Sequence, residues 1–344
     1  MSRILFVGDL NSYGRSYRRY LTLQRLGHDV DAISHTPVSQ SNKIESPSLL
    51  YKITWKLGYP IDPTQANSKI KEALKSKRYD IVWLEKGNTI LPTTLKFIKK
   101  INPSVSLISC SEDDMYVRHG SSFWYRYGIK YYDCIFTTKY YNLNELKLFG
   151  AKKTSLFYDS FDELIHKKWV LSDSEMKKYK CDVSAIGAYE LERAESLLFL
   201  ARNDIKVSVW GGNWEGLKNI HPNLLVHDEF LFGVEYAKAI CASKININFL
   251  RKINRDEITS RSMEIPACGS FMLAERTARH IQAFKEGVEA DFFSSDKELL
   301  SKIKFYLFNQ QLRQKIAVRG MRRCFYSGYS MSNQLQIMLN QILN

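Results

Sequence analysis

Several patterns that would assign this chain of 344 residues to a familiar class are absent. The six cysteines are scattered, with no Cys-x-x-Cys pair and no histidine at metal-binding spacing, so we expect reduced thiols rather than disulfides or a zinc site. The opening residues, MSRILFVGDL, lack the long apolar run of a signal peptide or a membrane span, and we expect a cytoplasmic protein. No zinc-finger spacing, basic zipper or RNP-like aromatic signature is present, so we expect no nucleic-acid partner.

Acidic residues are too few to balance the basic ones. The chain has 50 Lys and Arg against 36 Asp and Glu, a formal net charge of +14, and part of the excess lies in short basic clusters. A positive field favours phosphorylated small molecules, anionic lipid headgroups or other polyanions as partners. The alternative is a solvated, lysine-rich surface without a partner. The clusters are Lys69 to Arg78, Lys177 to Lys180 and Arg313 to Arg323.

The first half of the chain has the pattern of alternating strands and helices. An apolar strand at Ile4 to Val7 is followed by a glycine turn, a helix from about Ser16 to Leu26, and a strand from Asp29 to Ser34. This is a βαβ unit and predicts an open, mostly parallel sheet. Pro37 to Pro63 is interpreted as a variable loop. Further strands are predicted at Asp80 to Leu84, Val105 to Ser109 and Cys134 to Thr138, and helices at Pro92 to Lys100 and Asn142 to Phe149.

The second half repeats this pattern after a polar stretch between Phe161 and Lys180. We predict an α/β protein with two Rossmann-like domains, residues 1–165 and 180–328, followed by a helix in residues 329–344. Open sheets of this kind bind ligands beyond the carboxyl ends of their strands. The predicted strands are Asp182 to Gly187, Lys206 to Gly211, Leu224 to Val226, Lys244 to Phe249 and Phe271 to Ala274, and the helices Leu191 to Arg202, Val234 to Ala242 and Met331 to Leu343.

The glycine fingerprint of dinucleotide-binding enzymes is missing from both halves. Gly8 is followed by five other residues before Gly14, and Gly187 is followed by Ala-Tyr. Neither is Gly-x-Gly-x-x-Gly, so NAD or FAD chemistry is not expected.

Charged residues follow the predicted strands of the first half. Glu112-Asp113-Asp114 comes after one strand, and Lys86 and Lys139 come after two others. A carboxylate at this edge can act as a general base or hold an acceptor. A capping cluster for the next helix is the alternative.

In the second half, RSMEIPACGSFMLAE at residues 261–275 places Glu264 at the mouth of a predicted helix, beside Arg261. A carboxylate can accept hydroxyl hydrogen bonds from a ribose, and an arginine can meet a phosphate. An acidic residue in a first helical turn is also common without any ligand.

Several short motifs, taken together in their order along the chain, resemble those of glycosyltransferases with the GT-B fold. Within that group they resemble the CgeB-like proteins, whose C-terminal half is similar to a family-4 transferase. The resemblance covers nearly the whole chain. The motifs in the first half are Gly14 to Arg19, Leu26-Gly27-His28, Val82 to Gly87, Ser111 to Met115 and Thr137-Thr138-Lys139; those in the second half are Gly187 with Glu192-Arg193, Val209-Trp210-Gly211 with Trp214, Ala242 to Phe249, and Arg261 to Gly269.

This resemblance implies two Rossmann-like domains facing a deep cleft, with the C-terminal helix crossing back to the first domain. It implies that Glu264 binds the donor ribose and that Asp256, separated from it by seven residues as in the family-4 pattern, lies near the donor sugar, although the family uses the longer glutamate there. Neighbouring Glu257 is the alternative to Asp256, and His166 matches a linker histidine of the family. Candidates for the donor and its diphosphate are Gly187, Arg193, Arg251, Lys252 and Arg261.

The same resemblance predicts roles for the first half and for the reaction. Asp113 and Asp114, together with Asp256 of the second half, are catalytic candidates, and Lys86 and Lys139 are acceptor-binding candidates. We expect sugar transfer from a nucleotide diphosphate to a hydroxyl of a glycan, in cell-surface polysaccharide synthesis, with a lipid-linked acceptor and no metal or cofactor. The family-4 similarity implies retention of configuration, whereas Asp113 or Asp114 acting as a base would allow inversion. The basic surface would hold the protein at an anionic inner leaflet, with help from aromatic residues in Phe123 to Tyr132. The alternatives are a nucleotide-sugar epimerase and a non-catalytic basic binding or coat protein.

Overall fold

The computed structural model describes residues 1–39, 44, 46–227 and 229–343. The chain divides into two compact units. Unit 1 comprises Met1–Tyr158 and Met331–Asn344, and unit 2 comprises Asp159–Ser330. Residues 159–165, which the sequence grouped with the first domain, therefore lie in unit 2. The last helix lies in unit 1, as expected.

Unit 1 contains a parallel sheet of six strands in the order β2-β1-β3-β4-β5-β6. Both β2 and β3 pair with β1, so the strand order reverses between β1 and β3. Its strands are β1 (Arg3–Gly8), β2 (Asp29–Ser34), β3 (Ile81–Glu85), β4 (Ser106–Ser111), β5 (Cys134–Thr137) and β6 (Thr154–Leu156), and its helices are α1 (Arg15–Arg25), α2 (Leu49–Leu57), α3 (Ala66–Ser76), α4 (Pro92–Ile101), α5 (Phe123–Gly128), α6 (Asn142–Leu148) and α14 (Met331–Leu343).

Apolar runs explain why these segments form buried strands. All five residues of β3 are buried, and so are Ile4 to Val7 in β1. One face of the sheet is covered in part by α14, whose Met331, Leu335 and Met338 pack in one cluster with strand residues. The helix α2 lies in the segment interpreted as a loop, so that interpretation is wrong over Leu49–Leu57; residues 40–43 and 45 of the same segment lie outside the described residues.

Unit 2 contains a second parallel sheet of six strands, in the order β12-β11-β10-β7-β8-β9. Here the order reverses between β7 and β10, which pair directly. Its strands are β7 (Cys181–Ile186), β8 (Val207–Trp210), β9 (Leu224–Val226), β10 (Ser243–Asn248), β11 (Met272–Glu275) and β12 (Asp291–Phe293), and its helices are α7 (Asp173–Tyr179), α8 (Leu191–Arg202), α9 (Gly233–Ala242), α10 (Ser260–Ala267), α11 (Ala278–Ala283), α12 (Asp296–Phe308) and α13 (Gln310–Tyr326).

Candidate functional sites

Open parallel sheets bind ligands where the strand order reverses, because helices on opposite faces of the sheet leave a crevice there. In unit 2 this point follows β7 and β10. Gly187 comes directly after β7, and a Cβ there would lie 2.8 Å from Nη1 of Arg193 and 3.6 Å from Nη1 of Arg261. Any larger residue at 187 would therefore intrude between these two guanidinium groups. The structure thus brings together three of the predicted donor-binding residues.

Arg193 is held in the first turns of α8 with little access to solvent. It donates to the carbonyl of Ala188, and its nearest carboxylate, that of Glu190, is 3.9 Å away. Burial, and then the positive charge of Arg261, lower the pKa of Arg193 to about 10. An anion bound between the two arginines would relieve both effects, since it would replace lost hydration and shield the two like charges.

Arg261 lies in the first turn of α10, and its guanidinium donates to two neutral oxygens. It donates to Oδ1 of Asn248 and to the carbonyl of Phe249, both at 3.2 Å. These bonds fix the guanidinium at the carboxyl end of β10 without neutralising it. Arg193 and Arg261 therefore form a positively charged pair suited to a phosphate or diphosphate.

Glu264 lies in the second turn of α10 and is 6% exposed, so the prediction that it sits at the mouth of the helix is wrong. The hydroxyl of Tyr236 donates to its Oε2 at 3.0 Å, and Nε2 of His166 lies 3.9 Å from its Oε1. Nδ1 of His166 accepts the backbone N–H of Asp162 at 3.0 Å, which leaves the ring proton on Nε2, on the side of Glu264. The carboxylate is thus held between two side chains from α9 and from the segment before α7.

The other predicted donor residues lie on the loop between β10 and α10. Arg251 bonds to Glu190 at 2.7 Å and Lys252 to Glu275 at 2.8 Å, and both cations are more than half exposed. Asp256 accepts from Nδ2 of Asn254 at 2.8 Å in the same loop. Lys252 lines a cavity of about 270 Å³ together with Arg193 and several carboxylates. Arg251 and Lys252 therefore form short ion pairs with carboxylates, whereas Glu190 is 3.9 Å from Arg193 and the partners of Arg261 are neutral.

In unit 1 the reversal point lies between β1 and β3, and a cavity of about 420 Å³ opens there. Three of the charged residues expected at this edge, Lys86, Glu112 and Asp113, line it, and Lys86 and Asp113 form an ion pair with each other. The positive charge of Lys86 lowers the pKa of Asp113. A carboxyl group held ionised in this way is a weak proton acceptor, because its basicity falls with its pKa.

A buried ion network, which the sequence did not predict, forms one wall of the cavity. Arg19 on α1 binds both oxygens of Glu85 at 2.8 and 2.6 Å and one oxygen of Glu112 at 2.7 Å. Arg15 binds Glu112 at 2.8 Å. Burial raises the pKa of Glu112, but Arg15 and Arg19 lower it more, to about 2. These side chains are therefore charged and mutually compensated. The signals in the sequence were the motif Gly14 to Arg19, a glutamate at the end of an apolar strand and the acidic run Glu112 to Asp114, but none of them indicated the pairing.

Asp114 and Lys139, also predicted at this edge, do not line the cavity. Asp114 is fully buried and accepts from Nδ2 of Asn142 at 2.9 Å and from the backbone N–H of Tyr116 at 3.1 Å. Lys139 is 5% exposed, and its charge also helps to lower the pKa of Asp113. The bonds of Asp114 join the loop after β4 to Asn142, the first residue of α6, and do not cap the next helix in the chain, α5, whose N-cap is Ser122.

Comparison with solved structures supports the assignment of the fold. The chain aligns with Anabaena Alr3699/HepE in complex with UDP and glucose at 12% identity over 99% of both chains, with a TM-score of 0.65. It also aligns with a glycosyltransferase from Rickettsia africae ESF-5 at 14% identity over 100% of this chain and 99% of the other, with a TM-score of 0.67. The chain has the GT-B fold.

The GT-B fold is not confined to transferases. A putative UDP-N-acetylglucosamine 2-epimerase from Listeria monocytogenes matches at 12% identity over 95% of both chains, with a TM-score of 0.55. Residues 192–340 match a family model described as glycosyl transferase-like. No curated protein matches the chain. This GT-B protein therefore carries a glycosyltransferase-like segment that includes Arg193, Arg261 and Glu264.

Two further features concern metal ions and membranes. Within residues 1–39, 44, 46–227 and 229–343, no three His, Cys, Asp or Glu side chains are grouped so as to hold a metal ion. No helix in that part of the chain is long and apolar enough to cross a lipid bilayer.

Proposed function

We propose that this protein is a glycosyltransferase that moves a sugar from a nucleotide diphosphate donor to a hydroxyl group of a glycan. The observation that carries the proposal is the pair Arg193 and Arg261 beside Gly187, at the point of unit 2 where the strand order reverses. Two guanidinium groups would bind the diphosphate and stabilise its charge as the sugar departs. Glu264, held by Tyr236, would bind the ribose.

The family-4 likeness assigns Asp256 to the donor sugar and remains part of the proposal. Its bond to Asn254 keeps the carboxylate in the loop that leads into α10, the helix that carries Arg261 and Glu264. The CgeB-like likeness and a role in cell-surface polysaccharide synthesis are likewise proposed. UDP is the first nucleotide to test, because the HepE structure contains UDP and glucose.

The test is calorimetric titration of UDP, GDP, dTDP, ADP and CMP into the wild type and three variants. We expect micromolar binding of one nucleotide, weakened tenfold or more in Arg193→Gln and in Glu264→Gln, since each loses a charged contact of about 1.4 kcal/mol or more. Arg202→Gln is the matched control, because Arg202 is an exposed cation in the last turn of the same helix as Arg193. Equal weakening in Arg202→Gln, or no binding by any nucleotide, would favour a basic binding protein.

The reaction itself separates a transferase from an epimerase. A transferase leaves the nucleotide sugar unchanged until an acceptor is added, apart from slow hydrolysis, whereas an epimerase changes the sugar without an acceptor.

We propose that transfer retains the anomeric configuration, because Asp113 is paired with Lys86 and Asp114 does not line the cavity. We also propose that it needs no metal, because Arg193 and Arg261 supply the positive charge. Proton NMR of the product, formed in the presence of EDTA, tests both; an inverted linkage or a loss of turnover restored by Mn²⁺ would contradict them.

A further inference from the structure

The helix α2 turns its apolar side outward. None of its nine residues is buried, and Leu49, Leu50, Ile53 and Leu57 are 74%, 58%, 47% and 66% exposed. At 3.6 residues per turn these four side chains fall within an arc of about 100°. A core helix of a globular protein has the opposite arrangement, with its apolar arc buried. The outward arc of α2 is therefore a surface that a partner would cover.

The residues beside this apolar arc are basic or neutral. Lys52 and Lys56 follow it on one side, and both are exposed. Residues 46–61 contain no aspartate or glutamate. The apolar arc with its lysine margin is the pattern of a helix that lies in the headgroup region of an anionic bilayer.

Aromatic side chains continue this surface beyond the end of α2. Tyr59 lies 5.0 Å from Phe123 and 4.7 Å from Trp124 between ring centroids, and Tyr59 and Tyr127 are 39% and 55% exposed. Partly exposed tyrosines are the side chains that membrane proteins place at the level of the headgroups. The sequence had indicated the segment Phe123 to Tyr132 for such a contact; only part of it, including Tyr127, reaches the surface.

The helix is fixed to unit 1 at its C-terminal end. The guanidinium of Arg118 donates to the carbonyls of Trp55 and Lys56 at 3.0 and 3.1 Å, and a Cβ at Gly58 would lie 2.3 Å from the ring of Phe123. Gly58 also has a φ of 94°, a conformation that favours glycine. The outward arc is thus presented by a positioned helix.

The inward side of the same helix lines the cavity of unit 1. Tyr51 and Trp55 are cavity-lining residues, and their rings are stacked 6.3 Å apart at 16°. One helix therefore separates the cavity from the surface that carries the apolar arc. A molecule anchored in a bilayer under α2 would have its headgroup next to this cavity.

We propose that α2 docks the protein on an anionic lipid surface, with Leu49, Leu50, Ile53 and Leu57 inserted among the headgroups. A second copy of the chain is the less suitable occupant, because four side chains on two turns offer only a few hundred Å², whereas a stable protein interface buries on the order of 1,000 Å² or more. A helix of nine residues is also too short to span the hydrocarbon core, so it lies on the bilayer. This docking does not depend on the transferase proposal.

Vesicle flotation of the full chain tests the docking helix. The probes are vesicles of phosphatidylcholine alone and of phosphatidylcholine with phosphatidylglycerol. Ile53→Glu/Leu57→Glu is compared with Leu148→Glu/Phe308→Glu, which makes the same charge change at apolar residues that are 75% and 89% exposed on other helices. Thermal melting confirms that both variants fold, and nucleotide titration measures the donor site separately.

We expect the wild type to float with anionic vesicles and the α2 variant to lose tenfold or more of its partition coefficient, while the control loses less than threefold. Equal losses in the two variants would overturn the role of α2, because charge alone would then explain binding. Absence of flotation by the wild type, or an α2-dependent dimer in sedimentation velocity without lipid binding, would overturn the lipid surface as occupant. If the protein binds a nucleotide but does not float, the docking proposal fails and the transferase proposal stands. If it floats but binds no nucleotide, the transferase proposal fails and the docking proposal stands.

Discussion

At the scale of single residues, Arg19 is a buried cation of unit 1 that binds two carboxylates. Its side chain is 6% exposed and holds Glu85, which is 4% exposed, through two hydrogen bonds. Glu85 also accepts from the indole of Trp83 at 2.8 Å. Without the arginine, the buried carboxylate of Glu85 would keep one neutral donor and lose the cation that is hydrogen-bonded to it, which is among the costliest changes in a protein interior.

We therefore expect Arg19→Met to lower the free energy of unfolding of unit 1 by about 3–5 kcal/mol. Arg3→Met is the control, because Arg3 forms an exposed pair with Asp29 at 3.4 Å, and such pairs contribute no more than about 1 kcal/mol. Urea denaturation measures both. A similar loss in the two variants would show that the buried network adds nothing beyond a surface ion pair.

The same burial explains why sequence reasoning missed these residues. Arginine and glutamate are rarely fully buried, so Arg15 and Arg19 in the stretch RSYRRY are expected on a solvated helix face. Lys86 and Asp113 could be predicted, because each directly follows a strand. Position along the chain indicates which residues reach the edge of a sheet, but not which charges are paired there.

At the scale of elements, His280 connects three parts of unit 2. From α11, its Nδ1 bonds to the carbonyl of Glu275 at the end of β11, and its Nε2 to the hydroxyl of Ser262 in the first turn of α10, both at 2.7 Å. Ser262 also accepts from Nδ2 of Asn248 at 2.9 Å, and Asn248 accepts from Arg261. The start of the helix that carries Arg261 and Glu264 is thus tied to a buried neutral imidazole.

This contact makes the stability of unit 2 depend on pH. Burial lowers the pKa of His280 to about 4, from 6.5 in an unfolded chain. The unfolded state therefore binds the proton first, so the stabilisation is complete above about pH 6.5 and is lost as the pH falls toward 4. Between pH 7 and 4 the wild type should lose roughly 3 kcal/mol more than His280→Gln, which bonds without titrating. If the free energies of unfolding of the two proteins change with pH in parallel, His280 is not the source of the pH dependence.

Element prediction succeeded for the longer buried strands, but it missed the short strand β12 and several helices, among them α2, α12 and α13. The strands β1, β3, β7 and β10 lie within a few residues of their predicted positions, because fully buried parallel strands are continuous apolar segments. The helix α2 was missed because its apolar residues face solvent, so their spacing cannot be interpreted as a core face. Its contribution to the cavity, through Tyr51 and Trp55, was missed with it.

At the scale of the whole molecule, unit 1 is completed by a helix that comes after all of unit 2 in the chain. Met331, Leu335, Met338 and Leu339 of α14 are 1%, 1%, 1% and 3% exposed, and pack in one cluster with residues of β1, β3 and β5. The repeated βαβ pattern predicted two domains, but the assignment of α14 to the first depended on the resemblance, since a single amphipathic helix fits either sheet.

Removal of core side chains from α14 should destabilise the sheet of unit 1 and leave the sheet of unit 2 unchanged. Leu335→Ala/Met338→Ala removes side chains whose individual loss costs about 2–5 kcal/mol, which together approach the entire stability of a domain. Hydrogen exchange should then accelerate in β1 and β3 and stay slow in β7 and β10. Ile337→Ala is the control, because Ile337 is 42% exposed. Acceleration in both sheets, or in neither, would contradict the division into two cores.

The position of α14 also sets an order of events during translation. All residues of unit 2 leave the ribosome before Met331 does, so this unit can form its sheet while the first six strands still lack the helix that covers their apolar face. Until the last helix emerges, Ile4, Phe6 and Trp83 are without four of the side chains that bury them. The half of the chain made first is therefore the half finished last, and its newly made strands are the part of the nascent protein most in need of a chaperone.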